Sequence, residues 1–211
     1  MNKVLKLNSR NRRAGKAKNN GELLKLDLGC GSAKRPGFIG VDSIGFDGVD
    51  VVLDLVKEQT TINGSFVKYT PWPWTDNSVE EVHCSHFIEH LTSVERVHFV
   101  NELWRILKPG GKCTLIAPHW SSCRAYGDPT HKWPPVSEFW FYYLNRDWRK
   151  TQAPHTMKEN WELGFNCHFE VTWGYNLHPE VAARNQEYQQ NAIQFWKEAA
   201  QDVIATLTAS K

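Results

Sequence analysis

Apolar and polar positions alternate along Leu24, Lys25, Leu26, Asp27 and Leu28, and the run ends in Gly29-Cys30-Gly31. A period of two puts alternate side chains on opposite faces of a strand, so the pattern predicts a half-buried strand that stops at a tight glycine turn. Phe38 to Val41 is a second short apolar run, closed by Asp42. After the turn residues Gly45-Phe46-Asp47-Gly48, the stretch Val49 to Leu55 predicts a third strand around Val51, Val52 and Leu53. Residues 56 to 70 are polar without a clear period, and Pro71-Trp72-Pro73-Trp74 opens a rigid aromatic turn. Val79 to Ser85 predicts a fourth strand, with His86 where it stops. Thr92 and Glu95 have the spacing of a capping box, and Val97, Val100, Leu103, Trp104 and Leu107 then recur on one helical face. Lys108-Pro109-Gly110-Gly111 ends that helix, and Cys113 to Ala117 predicts a fifth strand closing at Pro118-His119.

Beyond residue 118 the pattern gives way to aromatics. Nine of the chain's 26 aromatic residues fall between 119 and 148, and Pro129, Pro134 and Pro135 exclude one long helix there, leaving room for a short one over Ser137 to Leu144. Residues 119–160 are expected to cover the sheet edge on the acceptor side, although packing on the outer face of the sheet would account for Phe139 to Tyr143 equally well. Phe165 to Leu177 predicts a late strand with Phe165, Cys167, Phe169 and Val171 on one face. From Pro179 a long polar helix through residue 208 is expected, its stripe formed by Trp196, Ala200, Val203 and Leu207. The order of elements predicts an α/β fold, a Rossmann-like open, mostly parallel sheet with helices on both faces. It would have a shortened first helix, an aromatic-rich insertion after the fifth strand and a C-terminal helix.

Composition changes this picture in one place. The formal net charge of +2 conceals an asymmetry, because residues 1–20 carry seven Lys or Arg and no acid. They predict a basic flexible arm ahead of a single, mildly acidic domain over 21–211, a balance that argues against a broad nucleic-acid-binding surface. No apolar run approaches membrane-spanning length. Five cysteines, odd in number and without a Cys-x-x-Cys pair, fit reduced thiols in a cytoplasmic setting.

Candidate chemistry gathers where the strands end. Gly29-Cys30-Gly31 brings backbone close to a ligand, and Asp42 at the end of the second strand is placed to accept hydrogen bonds from two ribose hydroxyls. The third glycine of a dinucleotide fingerprint is replaced by Lys34, and Pro36-Gly37 leaves little room for a phosphate-binding helix. A ribose without a pyrophosphate favours S-adenosylmethionine over a nicotinamide or flavin dinucleotide. Asp54 could take an adenine amino group with Leu55 covering the ring, or simply cap a turn.

Four stretches then resemble a class I S-adenosylmethionine-dependent methyltransferase of the small-molecule type. They are Leu26 to Ser32, Val41-Asp42, Pro71 to Val82, and Glu89-His90-Leu91 through Leu107-Lys108-Pro109-Gly110-Gly111. The resemblance implies that Asp27, Gly29, Cys30 and Gly31 surround the methionine part, Asp42 the ribose, and Asp54 with Leu55 the adenine, with Ser85 and His86 beneath the sulfonium. A small-molecule acceptor with an oxygen or nitrogen nucleophile follows, the aromatic cover suiting a sugar or other ring by stacking. A hydroxyl acceptor needs a general base; His119, His86 and His131 are the candidates, with Asp128 to orient one of them, and His119 leads because it follows the fifth strand. Three other readings stand beside this one. They are a nicotinamide-dependent oxidoreductase, a zinc peptidase through His86-Phe87-Ile88-Glu89-His90 with Glu159 or Glu162 as third ligand, and a member that binds the cofactor without turnover.

Overall fold

Leu26 and Leu28 are fully buried and Lys25, which precedes them, faces outward and pairs with Glu81 at 2.8 Å, while Asp27 between the two leucines is buried as well. The computed structural model describes residues 23–62 and 66–211. The basic arm expected over 1–20 lies outside them. β1 (Leu24–Leu28), β2 (Ile39–Asp42), β3 (Val51–Val52), β6 (Val79–Ser85) and β7 (Leu107–Pro118) run parallel. β8 (Phe169–Leu177) and β9 (Ala200–Ala209) complete the sheet antiparallel, in the order β3-β2-β1-β6-β7-β9-β8. Between β3 and β6 lies a separate hairpin of β4 (Glu58–Ile62) and β5 (Phe66–Tyr69), where the sequence shows no clear period.

α1 (Ser93–Ile106) crosses from β6 to β7, and its Val97, Phe99, Val100, Leu103 and Ile106 enter the main core. The capping box forms as the spacing predicts: the Thr92 hydroxyl accepts from Glu95 N and the Glu95 carboxylate accepts from Thr92 N at 2.6 Å. Trp72 and Trp74 of the aromatic turn are buried in the same core. After β7 the cover carries α2 (Arg124–Gly127), α3 (Glu138–Tyr142) and α4 (Arg146–Gln152). One buried guanidinium holds it down: Arg96 donates to the carbonyls of Ile88 at 3.0 Å, Pro134 at 2.7 Å and Lys132 at 3.4 Å. Lys132 N donates in turn to the Glu89 carbonyl at 2.8 Å.

Three expectations are corrected. The C-terminal helix over 179–208 is instead α5 (Pro179–Ala182), α6 (Gln186–Phe195) and the strand β9. Val203 and Leu207 satisfy a helical stripe and a strand alternation alike. The buried residues between and after them, Ala205 and Ala209, belong only to the strand, and the slot between β7 and β8 gives its backbone two ladders of hydrogen bonds. No helix follows β1, so the shortened first helix is absent; Asp27 Oδ2 accepts from Arg35 N at 2.7 Å and draws residues 29–38 into turns. The third strand is two residues long rather than seven.

Thr92→Ala should lower stability by about 1 kcal/mol. Calorimetry should register this as a fall of roughly 2–4 °C in melting temperature; no change would mean that packing alone sets the start of α1.

Candidate active site

β1 is the pivot of the site. Leu28 pairs with Val41 of β2 on one side and Cys84 of β6 on the other, so the turn after β1 emerges between Asp42 and Ser85. Strand order reverses between β1 and β6, the place where an open α/β sheet leaves a crevice beyond its carboxyl ends. Gly29 adopts φ +68°, and a Cβ added to it would meet the Phe87 ring at 2.5 Å. Gly31 adopts φ +53° with nothing within 4 Å of its absent Cβ, so its backbone is bared to open space.

The two acidic residues assigned to ligand grip the turn itself. Asp27 is buried, with Oδ2 on Arg35 N and Oδ1 2.8 Å from His83 Nδ1. Asp42 is half-buried; its Oδ2 accepts from Gly31 N and its Oδ1 from Ile44 N, each at 2.9 Å. Each Asp42 oxygen keeps a second lone pair for a hydroxyl. Cys30 N and Gly29 N both donate to the Val41 carbonyl, and burial, then Asp27 and Asp42, push the Cys30 thiol up.

At the β3 end, Asp54 is exposed and accepts from Val56 N at 3.0 Å, the turn-capping alternative. Leu55 is buried, its side chain in the main core, and its carbonyl accepts from the Trp72 indole at 2.8 Å. Ile44, Phe46 and Val52 are the exposed apolar residues at this end, and Ile44 and Phe46 stand out in the sequence as apolar positions inside a turn.

At the β6 end, Ser85 is half-buried and His86 is exposed at φ +53°. His86 lies between two buried carboxylates, Glu89 Oε1 at 3.3 Å and Asp202 Oδ1 at 4.0 Å, and the Glu89 carboxylate holds its imidazole above the ordinary range. Asp202 is a residue the sequence reading missed because its strand was read as helix. The enrichment of β-branched residues beside it, Val203, Ile204, Thr206 and Thr208, was the available signal.

His119 follows β7 as expected but does not face the open crevice. It is fully buried, with Nε2 2.9 Å from Glu138 Oε1 and Nδ1 2.8 Å from Ser121 Oγ. A carboxylate only accepts, so Nε2–H donates to Glu138 and Nδ1 receives the Ser121 hydroxyl. Tyr175 OH also donates to Glu138, at 2.7 Å. Burial pushes the Glu138 carboxyl up, but the hydrogen bonds from His119 and Tyr175 outweigh it and hold the group down at about 2. Ser121 opens onto a cavity of about 540 Å³ walled by Trp120, Tyr126, Phe195 and Trp196. A second, of about 410 Å³, shares Trp120 and Tyr126 and reaches Trp133 and Phe139.

His131 and Asp128 join neither His119 nor each other closely; their nearest charged atoms are 3.8 Å apart, and the His131 ring packs edge-on to His90 at 4.8 Å. The peptidase geometry is not formed. His86 ends a strand and residues 88–90 make a single 3-10 turn, so His86 and His90 do not share a helix face.

Residues 26–115 match the family model described as "Methyltransferase domain". Among solved structures, one described as a SAM dependent methyltransferase from Archaeoglobus fulgidus is 19% identical, covering 89% of this chain and 86% of its own, with a TM-score of 0.53. One described as a SAM-dependent methyltransferase from Methanosarcina mazei is 14% identical over 88% of this chain and 92% of its own, with a TM-score of 0.49. The first of these likenesses bears on fold alone. No curated protein matches the sequence significantly.

Two outcomes follow from this geometry. Gly29→Ala should destabilise the protein far more than Gly31→Ala, which bears only the left-handed strain of about 1–2 kcal/mol; equal losses in thermal melts would contradict the close approach of Phe87. Glu138 has a folded pKa of about 2, below its ordinary 4.5, so its contribution is complete above pH 4.5 and is lost as pH falls toward 2. In urea titrations the gap between wild type and Glu138→Gln should close over that interval; a gap unchanged at pH 2.5 would rule out the assigned network.

Proposed function

We propose, for a chain whose residues 26–115 match the model of a methyltransferase domain, that it is an S-adenosylmethionine-dependent methyltransferase that moves the donor's methyl group onto an oxygen or nitrogen of a small ring-shaped acceptor. The observation that carries this reading is the aromatic-walled cavity of about 540 Å³ that begins directly after the carboxyl end of β7. Trp120, Tyr126, Phe195 and Trp196 offer flat faces for a ring, and Ser121 supplies a polar atom among them.

The donor-side residues fit a nucleoside without phosphates. Gly31 leaves space where a side chain would stand, Asp42 retains lone pairs for ribose hydroxyls, and no helix N-terminus follows β1 to hold a pyrophosphate. That last feature weighs against the nicotinamide reading. In this assignment Gly29, Cys30 and Gly31 flank the methionine part, with Asp27 fixing their turn from below. Asp54, Ile44, Phe46 and Val52 border the adenine, and Ser85 and His86 lie under the reacting methyl.

When bound, the donor supplies a methyl already activated on a positively charged sulfur. The acceptor lone pair bonds to the methyl carbon as the carbon–sulfur bond breaks, and sulfur keeps the electron pair. The chain has to align the three centres and exclude water, for which effective molarity supplies roughly 7 kcal/mol or more. For a hydroxyl acceptor, the proton passes to Ser121 Oγ as the Ser121 proton moves to His119 Nδ1, and the Glu138 carboxylate stabilises the resulting imidazolium. His119 thus serves as base through Ser121 rather than by touching the acceptor. Among the described residues no helix is long and apolar enough to cross a membrane, and the five cysteines are free; a cytoplasmic setting is part of this proposal.

Calorimetry with S-adenosylmethionine, S-adenosylhomocysteine and NAD, run beside labelled-methyl transfer into acceptor pools, tests the reading. Binding of the first two and not the third is expected, and binding without transfer into any pool would favour a member lacking turnover. Ser121→Ala and His119→Gln should each lower turnover by roughly 100-fold while leaving donor affinity nearly unchanged. Equal loss of both would remove the base assignment.

A further inference from the structure

We propose that Glu89, His90 and His131 form a binding site for one divalent first-row transition-metal ion of the zinc class. One ligand atom from each of the three lies within 4.8 Å of the others. The site joins the 3-10 turn after β6 to the cover, and Arg96 with the Lys132–Glu89 backbone bond already holds these segments together.

The strongest sign is the Glu89 carboxylate. It is 3% exposed, and neither of its oxygens has a hydrogen-bond partner. His86 Nδ1 at 3.3 Å is within ion-pair reach but outside hydrogen-bond geometry. Buried carboxylates are hydrogen-bonded, paired or bound to metal; His86 pairs with Oε1, and a metal ion answers for Oε2, which has neither a hydrogen bond nor an ion-pair partner.

The imidazoles are arranged to match. His131 Nδ1 lies 3.3 Å from the Ala125 carbonyl, which only accepts, so Nδ1 carries the hydrogen and Nε2 keeps its lone pair. The Thr130 hydroxyl gives its hydrogen to Asp128 Oδ1 at 2.6 Å, so its oxygen accepts from His90 Nδ1 at 3.0 Å. His90 Nε2 is left bare as well. Carbonyl and hydroxyl–carboxylate partners on the far nitrogen are what fix and strengthen histidine ligands at metal sites.

Two imidazoles and one carboxylate suit zinc, cobalt or nickel better than magnesium or calcium, which favour oxygen ligands throughout. Ligands at about 2.0–2.1 Å on a tetrahedral ion stand roughly 3.4 Å apart, so binding would draw the three ligand atoms together by about an ångström. Three protein ligands leave one position for water or a small ligand. The set differs from the peptidase pattern read in the sequence, because His131 from the cover takes the place of His86. Metal binding here does not depend on the methyl-transfer reading.

The test uses the full chain stripped with chelator and titrated with Zn²⁺ by calorimetry and with Co²⁺ by visible absorption. One ion per chain is expected, with ligand-field bands and a rise of about 5 °C or more in melting temperature at saturating Zn²⁺. His90→Ala and His131→Ala should each weaken binding by roughly 100-fold, and Thr130→Val, which strips the partner from His90, by about 10-fold. His155→Ala, on a separate turn, should bind as wild type. Absence of saturable binding in the wild type, or binding indifferent to His90→Ala and His131→Ala, would overturn the site. Circular dichroism of each stripped variant separates lost ligation from lost folding, and if His90→Ala does not fold, His131→Ala and Thr130→Val decide.

Discussion

The turn after β1 can leave the sheet where it does only because two residues accept a left-handed backbone while three side chains hold them there. Gly29 must pass under Phe87, and Gly31 must bare its amide to Asp42. Asp27, buried at the root of the turn, fixes its far limb through Arg35 N and leans on His83. Five parallel strands ending along one edge would otherwise offer only a row of carbonyl ends. The glycine turn at the point where strand order reverses converts that edge into a crevice whose floor is backbone.

The other wall is attached by polar groups as well as by Val136, Phe141 and Leu144, which enter the main core. Arg96, with almost no exposed surface, spends its guanidinium on three carbonyls, and Arg149, fully buried, donates to the carbonyls of Tyr143 and Cys167. Buried cations of this kind are costly unless every donor direction is used, and their geometry then leaves little freedom in how the cover sits. The Ser121–His119–Glu138–Tyr175 chain links β7, the cover and β8 in the same manner. Aromatic side chains can therefore stay at the surface of the cover, with Trp120, Tyr126, Trp133 and Phe139 exposed. They are freed from the core to face cavities.

Glu89 occupies the junction of these two walls. Its backbone carbonyl receives Lys132 from the cover, and its carboxylate, with Oε1 3.3 Å from His86 Nδ1, makes no hydrogen bond. A fold that gives Arg96 three carbonyls while leaving this carboxylate without a hydrogen bond marks it as a group kept for something outside the chain.

Local signals were legible in the sequence. The period-two runs of β1 and β6, the glycine turn, the Thr92–Glu95 box and the Lys108-Pro109-Gly110-Gly111 stop each concern residues a few positions apart, and each predicts what the chain does there. Asp42 and His86 were identifiable because they close such runs. What depended on distant partners was not. Val203 and Leu207 fit two periods, and only the gap between β7 and β8 selects the strand. Leu55 or Val52 could each have faced outward until the aromatic turn claimed Leu55 for the core. His119 follows its strand as expected, yet Glu138 and Tyr175, far along the chain, decide that it is buried and reaches the cavity through Ser121. Hydrophobic alternation determines which residues become strands, because a strand's faces are set by neighbours in sequence. Which titratable groups meet is decided by packing between segments that share no local pattern.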